Sequence, residues 1–179
     1  MSRAPATPAL LRSTRRLTTA ATVLLGFQLY GNLYEEVVTN VRSIADPVPG
    51  DLVGELAPGS PLFFYLPWAP VGVVLVGILA VRLRRTAPAW IARRAALACV
   101  ALLVAVGAKA YLIARLNPTA RDASASPATI RDTAVQWAFV NGIAILAVAT
   151  ALALILTWRT TALDRTTTPE PALHPLTAR

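Results

Sequence analysis

Apolar positions gather in four long runs, separated by polar connections that carry proline and arginine. The runs fall at about residues 17–38 (LTTAATVLLGFQLYGNLYEEVV), 62–83 (LFFYLPWAPVGVVLVGILAVRL), 95–116 (AALACVALLVAVGAKAYLIARL) and 133–158 (TAVQWAFVNGIAILAVATALALILTW). A helix needs about 20 such residues to cross the roughly 30 Å hydrocarbon core of a bilayer, and each run has that length. The pattern therefore predicts an all-α fold, a four-helix transmembrane bundle. Its domain plan is a basic N-terminal segment (1–16), a membrane domain (17–158) and a tail without fixed structure (159–179).

The flanks refine this plan. Arg12, Arg15 and Arg16 precede the first run, as they would a secretory leader. No small-x-small cleavage site follows, and the run continues into Gln28, Tyr30 and Asn32, so it reads as a retained helix. Pro67 and Pro70 sit near the start of the second run, where proline is tolerated. Phe63, Phe64, Tyr65 and Trp68 at that end read as an interfacial aromatic belt. The third and fourth runs are rich in Ala and Leu and show no clear GxxxG pattern. Residues 39–61 read as a polar loop longer than most connections. Residues 84–94 form a short arginine-bearing link, and 117–132 a turn-rich loop with Asn117-Pro118 and Pro127.

Composition strengthens the membrane reading. Of 179 residues, 55% are apolar and 15% charged, with mean hydropathy +0.55, which is greasier than a soluble domain of this size. Yet the net charge is +8. The cations explain this: all but Lys109 are arginine. With the N-terminus placed in the cytoplasm, twelve arginines fall on the inner side and four on the outer side. Arginine bias of this size predicts that both termini are cytoplasmic and that the longer first loop is outside. It also accounts for the basic loops without nucleic acid; the expected partners are the lipid bilayer, a lipophilic small molecule, and a second copy or another membrane protein. The cell membrane is the expected location.

Several chemistries drop out. The single cysteine, Cys99, excludes an intrachain disulfide, and the single histidine, His174, excludes His-rich metal sites and bis-His haem. No Ser-His-Asp arrangement is available for hydrolysis. No metal or other cofactor is expected.

What remains is a set of polar residues inside the runs. Gln28, Asn32 and Glu35 recur at i, i+4 and i+7, one face of a helix. Lys109 is the fifteenth residue of the third run, roughly 20 Å along the hydrocarbon core. Trp137 and Asn141 share a face at i and i+4, with Asn141 near the depth of Lys109. Glu35 is the expected partner of Lys109, and Glu36 the second choice. Two readings stand side by side. These six residues form a polar pocket in the outer half of the bundle, because an intramembrane charge marks a functional site. Alternatively the amides are interhelical glue and Lys109 snorkels to the outer interface.

The loop LNPTARDASASP and the following VQWAFVNGIAILAVATALALIL resemble the C-terminal half of the DUF1772 family, small four-helix membrane proteins that include the anthrone oxygenase-like proteins. The resembling residues are Asn117 and Pro118 after the third helix and Trp137 and Asn141 opening the fourth, with FFYLPW more loosely similar. Gly142, Ile143 and Ala144 follow Asn141 where the family often has a basic residue, and Asn-Leu-Tyr-Glu-Glu ends the first run in place of an apolar segment. The resemblance implies a four-helix membrane fold and a cofactor-independent oxygenase acting on a lipophilic aromatic substrate. Lys109, Asn141 and Trp137 would then hold the substrate, with Glu35 as base. A third class, an oligomeric channel or transporter component, would titrate the Lys109–Glu35 pair.

Overall fold

The computed structural model describes residues 8–50, 52 and 62–167, and these are all-helical, with no strand. The elements are α1 (Pro8–Tyr34), a π-helical stretch (Glu35–Asn40), α2 (Val41–Ala45), α3 (Leu62–Tyr65), α4 (Trp68–Thr86), α5 (Ala89–Tyr111), a second π-helical stretch (Leu112–Leu116), α6 (Asn117–Arg121) and α7 (Pro127–Thr167). Because the π stretches join their neighbours without a break, these elements amount to four long helices.

The helices outrun the apolar runs at both ends. An apolar run measures the hydrocarbon core, whereas caps and breakers set the helix ends. Ser126 accepts the Thr129 amide at 3.1 Å, and Pro127 takes the first helical position, so α7 starts six residues before the run. It continues to Thr167, through the first part of the segment expected to lack structure; residues 168–179 lie outside the described part. Likewise α1 starts at Pro8, inside the N-terminal segment. Thr39–Ala45 is helical instead of opening the long loop. At the turn between α4 and α5, Ala87 is extended (φ −107°, ψ 162°) before Pro88, which ends α4.

Asn117–Arg121 is a helical turn, not loop. Proline inside a helix clashes with the carbonyl four residues back. For Pro118 that residue is Ala114, within the second π stretch, whose wider turn accommodates the ring. The first π stretch contains the β-branched Val37, Val38 and Thr39, which crowd an ordinary α-turn. In the turn after α2, Gly50 adopts φ 74°, and a Cβ there would meet the Ala123 Cβ at 3.2 Å. Beside Ala123, the hydroxyl and amide of Ser124 both donate to Asp122 and hold its carboxyl below the usual range.

The four helices form a ring. α1 packs on α4 and α7, and α5 packs on the same two, while α1 and α5 face each other across the middle. Arg82 donates to Ser13 at one end (2.8 Å) and Arg131 to the Ile44 carbonyl at the other (3.1 Å). The buried seam follows alternating steps of three and four: Thr18, Ala21, Leu25, Gln28, Asn32 and Glu35 on the first helix. α5 repeats it with Ile91, Ala95, Ala98, Leu102 and Ala105, and α7 with Asn141, Ala144, Val148, Ala151 and Ile155. This narrow heptad stripe is the seam of a left-handed bundle.

The interior mixes large and small side chains, with Leu25, Leu79 and Leu102 buried beside alanines. Ala98, Ala105, Ala144 and Ala151 are fully buried, while Leu103, Phe139 and Leu146 are 64–73% exposed. Two helices, Ala89–Arg121 and Pro127–Thr157, are long and apolar enough to cross a membrane. Only 22% and 33% of their most apolar windows are buried, unlike the core helix of a soluble protein.

Candidate functional site: an ion pair across the bundle axis

In the half of the ring that carries Glu35 and Lys109 the seam turns polar. Gln28, Asn32 and Glu35 continue the α1 stripe, Lys109 continues the stripe of α5, and Trp137 and Asn141 that of α7. Since α1 and α5 face each other, their seam residues meet on the axis. Lys109 Nζ lies 2.6 Å from Glu35 Oε2, with side-chain exposures of 18% and 8%. Lys109 thus turns inward instead of snorkelling.

Tyr65 completes the centre. Lys109 donates to its hydroxyl at 3.1 Å, and that hydroxyl donates to the same Glu35 oxygen. The ammonium also lies over two rings, 4.6 Å from the centroid of Tyr65 and 5.2 Å from that of Trp137. The indole of Trp137 donates in turn to Asn117 Oδ1 at 3.3 Å.

A second, adjacent network involves the neighbouring acid. Asn141 Nδ2 donates to the Asn32 carbonyl (3.1 Å) and to Glu36 Oε2 (2.9 Å), while Asn40 Nδ2 donates to Glu36 Oε1 (3.4 Å). Because the Asn32 carbonyl only accepts, it fixes which end of the Asn141 amide faces it. Glu36, the second-choice partner of Lys109, is therefore held by amides.

A cavity of about 620 Å³ opens beside the ion pair. Of the six expected residues, Gln28, Glu35, Lys109 and Trp137 line it; Asn32 and Asn141, both fully buried, do not. Its walls are mainly apolar, with Val73, Val74, Val106, Leu112 and Ile113 prominent, and Thr39, Ser43, Asn117 and Arg121 contribute polar groups at the loop end. Buried polar atoms without a partner among the described residues include Gln28 Oε1, both amide atoms of Asn32 and Asn141 Oδ1. Both π stretches border this region, and such stretches occur frequently at functional sites.

Sequence reasoning missed Tyr65, Asn40 and Thr39. Tyr65 sits in an aromatic cluster that imitates an interfacial belt, but α3 packs against α1 and brings its hydroxyl inward. The available signal was its hydroxyl, since a buried phenol finds a polar partner. Among the described residues no group of three or more His, Cys, Asp and Glu side chains is placed to hold a metal ion. Comparison with protein-family models, curated proteins and solved structures finds no match to this chain.

Proposed function

We propose that the chain is a multi-pass cell-membrane protein with four spans and both termini in the cytoplasm, and that its outer half binds a lipophilic small molecule. The large apolar side chains left exposed, Leu103, Phe139 and Leu146 among them, support the membrane reading, because they stand on two helices long and apolar enough to cross a bilayer. The arginine bias supports the orientation. The observation that carries the pocket is the Lys109–Glu35–Tyr65 contact beside an apolar-walled cavity. A charge pair in that position is costly, and intramembrane charges characteristically serve a ligand or ion pathway.

A second reading, an oxygenase-like enzyme on a lipophilic aromatic substrate, is favoured by Glu35 and Trp137 lining one cavity. In it Glu35 is the base, and Lys109 and Trp137 hold the substrate. Asn141, fully buried and absent from the cavity lining, holds Glu36 and does not hold the substrate in this reading.

The test is thermal unfolding of the detergent-solubilised protein against a panel of lipophilic compounds. At least one class raises the unfolding temperature of the wild type. The double variant Lys109→Met/Glu35→Gln stays folded and loses that rise. If no compound shifts the wild type, and the double variant differs only in stability, the pair is structural and the pocket reading fails.

A further inference from the structure

Resting on the readings of this bundle as membrane-spanning and of its cavity as a ligand pocket, we infer that the cavity opens sideways into lipid between α4 and α5, and that its ligand is a single-chain amphiphile of the outer leaflet. The cavity walls differ in exposure. Gln28 and Glu35 on the first helix, and Thr133 and Ala134 on α7, are buried. The facing walls stand open. Leu66, Pro70 and Val74, four residues apart on the approach to α4 and along it, line the cavity and are exposed. So do Val106, Ala110 and Ile113, at i, i+4 and i+7 from α5 into the second π stretch. Val74 is 59% exposed and Val106 45%. Because α4 and α5 pack side by side, the two apolar stripes are the lips of one mouth. An apolar opening of this kind is unfavourable against water and suits hydrocarbon.

The gradient along the cavity gives the class of occupant. Thr39, Ser43, Asn117 and Arg121 supply polar groups at the loop end, the Lys109–Glu35 pair lies below them, and Val73, Val74 and Val106 wall the far end. From Ser43 back to Gln28 the first helix covers fifteen residues, about 22 Å. Polar at the loop end and apolar toward the membrane centre is the orientation of an outer-leaflet lipid. Such a molecule enters through the mouth without turning over. Its head meets the loop-end groups and the ion pair, and its chain stays between the two apolar stripes. A volume of about 620 Å³ falls in the range of small-molecule sites and takes one hydrocarbon chain, not the two of a phospholipid.

Trp137 lines the cavity beside Lys109 and reports what enters. The full-length protein is made with Trp137 as its single tryptophan (Trp68→Phe, Trp90→Phe, Trp158→Phe) and reconstituted in phosphatidylcholine vesicles. The probes are dibromostearate and a phosphatidylcholine carrying the same dibrominated chain, since bromine quenches an indole only near contact. Dibromostearate should remove most of the Trp137 fluorescence, saturably and in competition with plain stearate, and the two-chain probe should quench far less. Ala110→Phe fills the mouth from an exposed position, so it should abolish quenching and leave the unfolding temperature unchanged; Val106→Phe makes the same plug one turn away. Equal quenching in the plugged variants means contact from bulk lipid and overturns the mouth. Equal quenching by the two-chain probe overturns the single-chain assignment. If dibromostearate leaves Trp137 bright while another lipophilic compound still raises the unfolding temperature, the inference fails and the pocket stands. If no compound does either, the pocket reading fails and this inference with it.

Discussion

Lys109 and Glu35 test each other. Truncating either alone strands its partner in a low-dielectric interior, and breaking a buried pair from one side costs about 3–5 kcal/mol. Lys109→Met and Glu35→Gln should each lower stability on that scale, while the double variant should lose much less than their sum. Equilibrium unfolding in detergent of the four proteins of this cycle measures the coupling. Tyr65→Phe keeps the ring under the ammonium and removes only the hydroxyl, so a loss of about 1 kcal/mol is expected. Asn141→Leu is costlier than a surface change, by about 1–3 kcal/mol, because it leaves both the Asn32 carbonyl and a Glu36 oxygen without their donor.

Between elements, the α1–α4 contact runs past one glycine, which shows the tolerance of the packing. A Cβ at Gly72 on α4 would meet Leu24 Cβ at 3.4 Å and Leu25 Cδ2 at 3.5 Å, ordinary contact distances. Gly72→Ala should therefore hold or raise stability, since alanine is the better helix former by about 1 kcal/mol. Gly72→Val adds a branch with nowhere to go and should cost about 1–3 kcal/mol by prying α1 from α4. Opposite signs in the same unfolding assay check the close approach.

The same elements show what could be read from sequence. The shared face of Gln28, Asn32 and Glu35 was legible because helical spacing alone creates it, and the pairing of Glu35 with Lys109 followed from depth. Helix ends were not legible from hydropathy, which cannot register a cap such as Ser126-Pro127. Thr39, Asn40 and Ser43 were hidden because polar residues beyond a span look like loop, although here the helix continues through a π stretch and α2. Tyr65 was hidden because its role depends on a fold back onto α1 that no local pattern encodes.

At the scale of the whole molecule, arginine and lysine do different work. The arginines crowd the ends of the helices, Arg82, Arg84 and Arg85 at one turn and Arg93 and Arg94 just beyond it. The one lysine lies on the axis. The proposed arrangement is a membrane bundle whose pocket lies in its outer half, so the turn at residues 122–126 faces outside and the turn at residues 86–88 faces the cytoplasm. Labelling of single cysteines by a membrane-impermeant maleimide tests this most directly. In a Cys99→Ala background, Ser124→Cys should be modified in intact cells, and Thr86→Cys only after the membrane is permeabilised; both positions are exposed. Modification of Thr86→Cys in intact cells, with Ser124→Cys protected, would invert the topology. Recovery of the protein in the soluble fraction without detergent would contradict the membrane bundle itself.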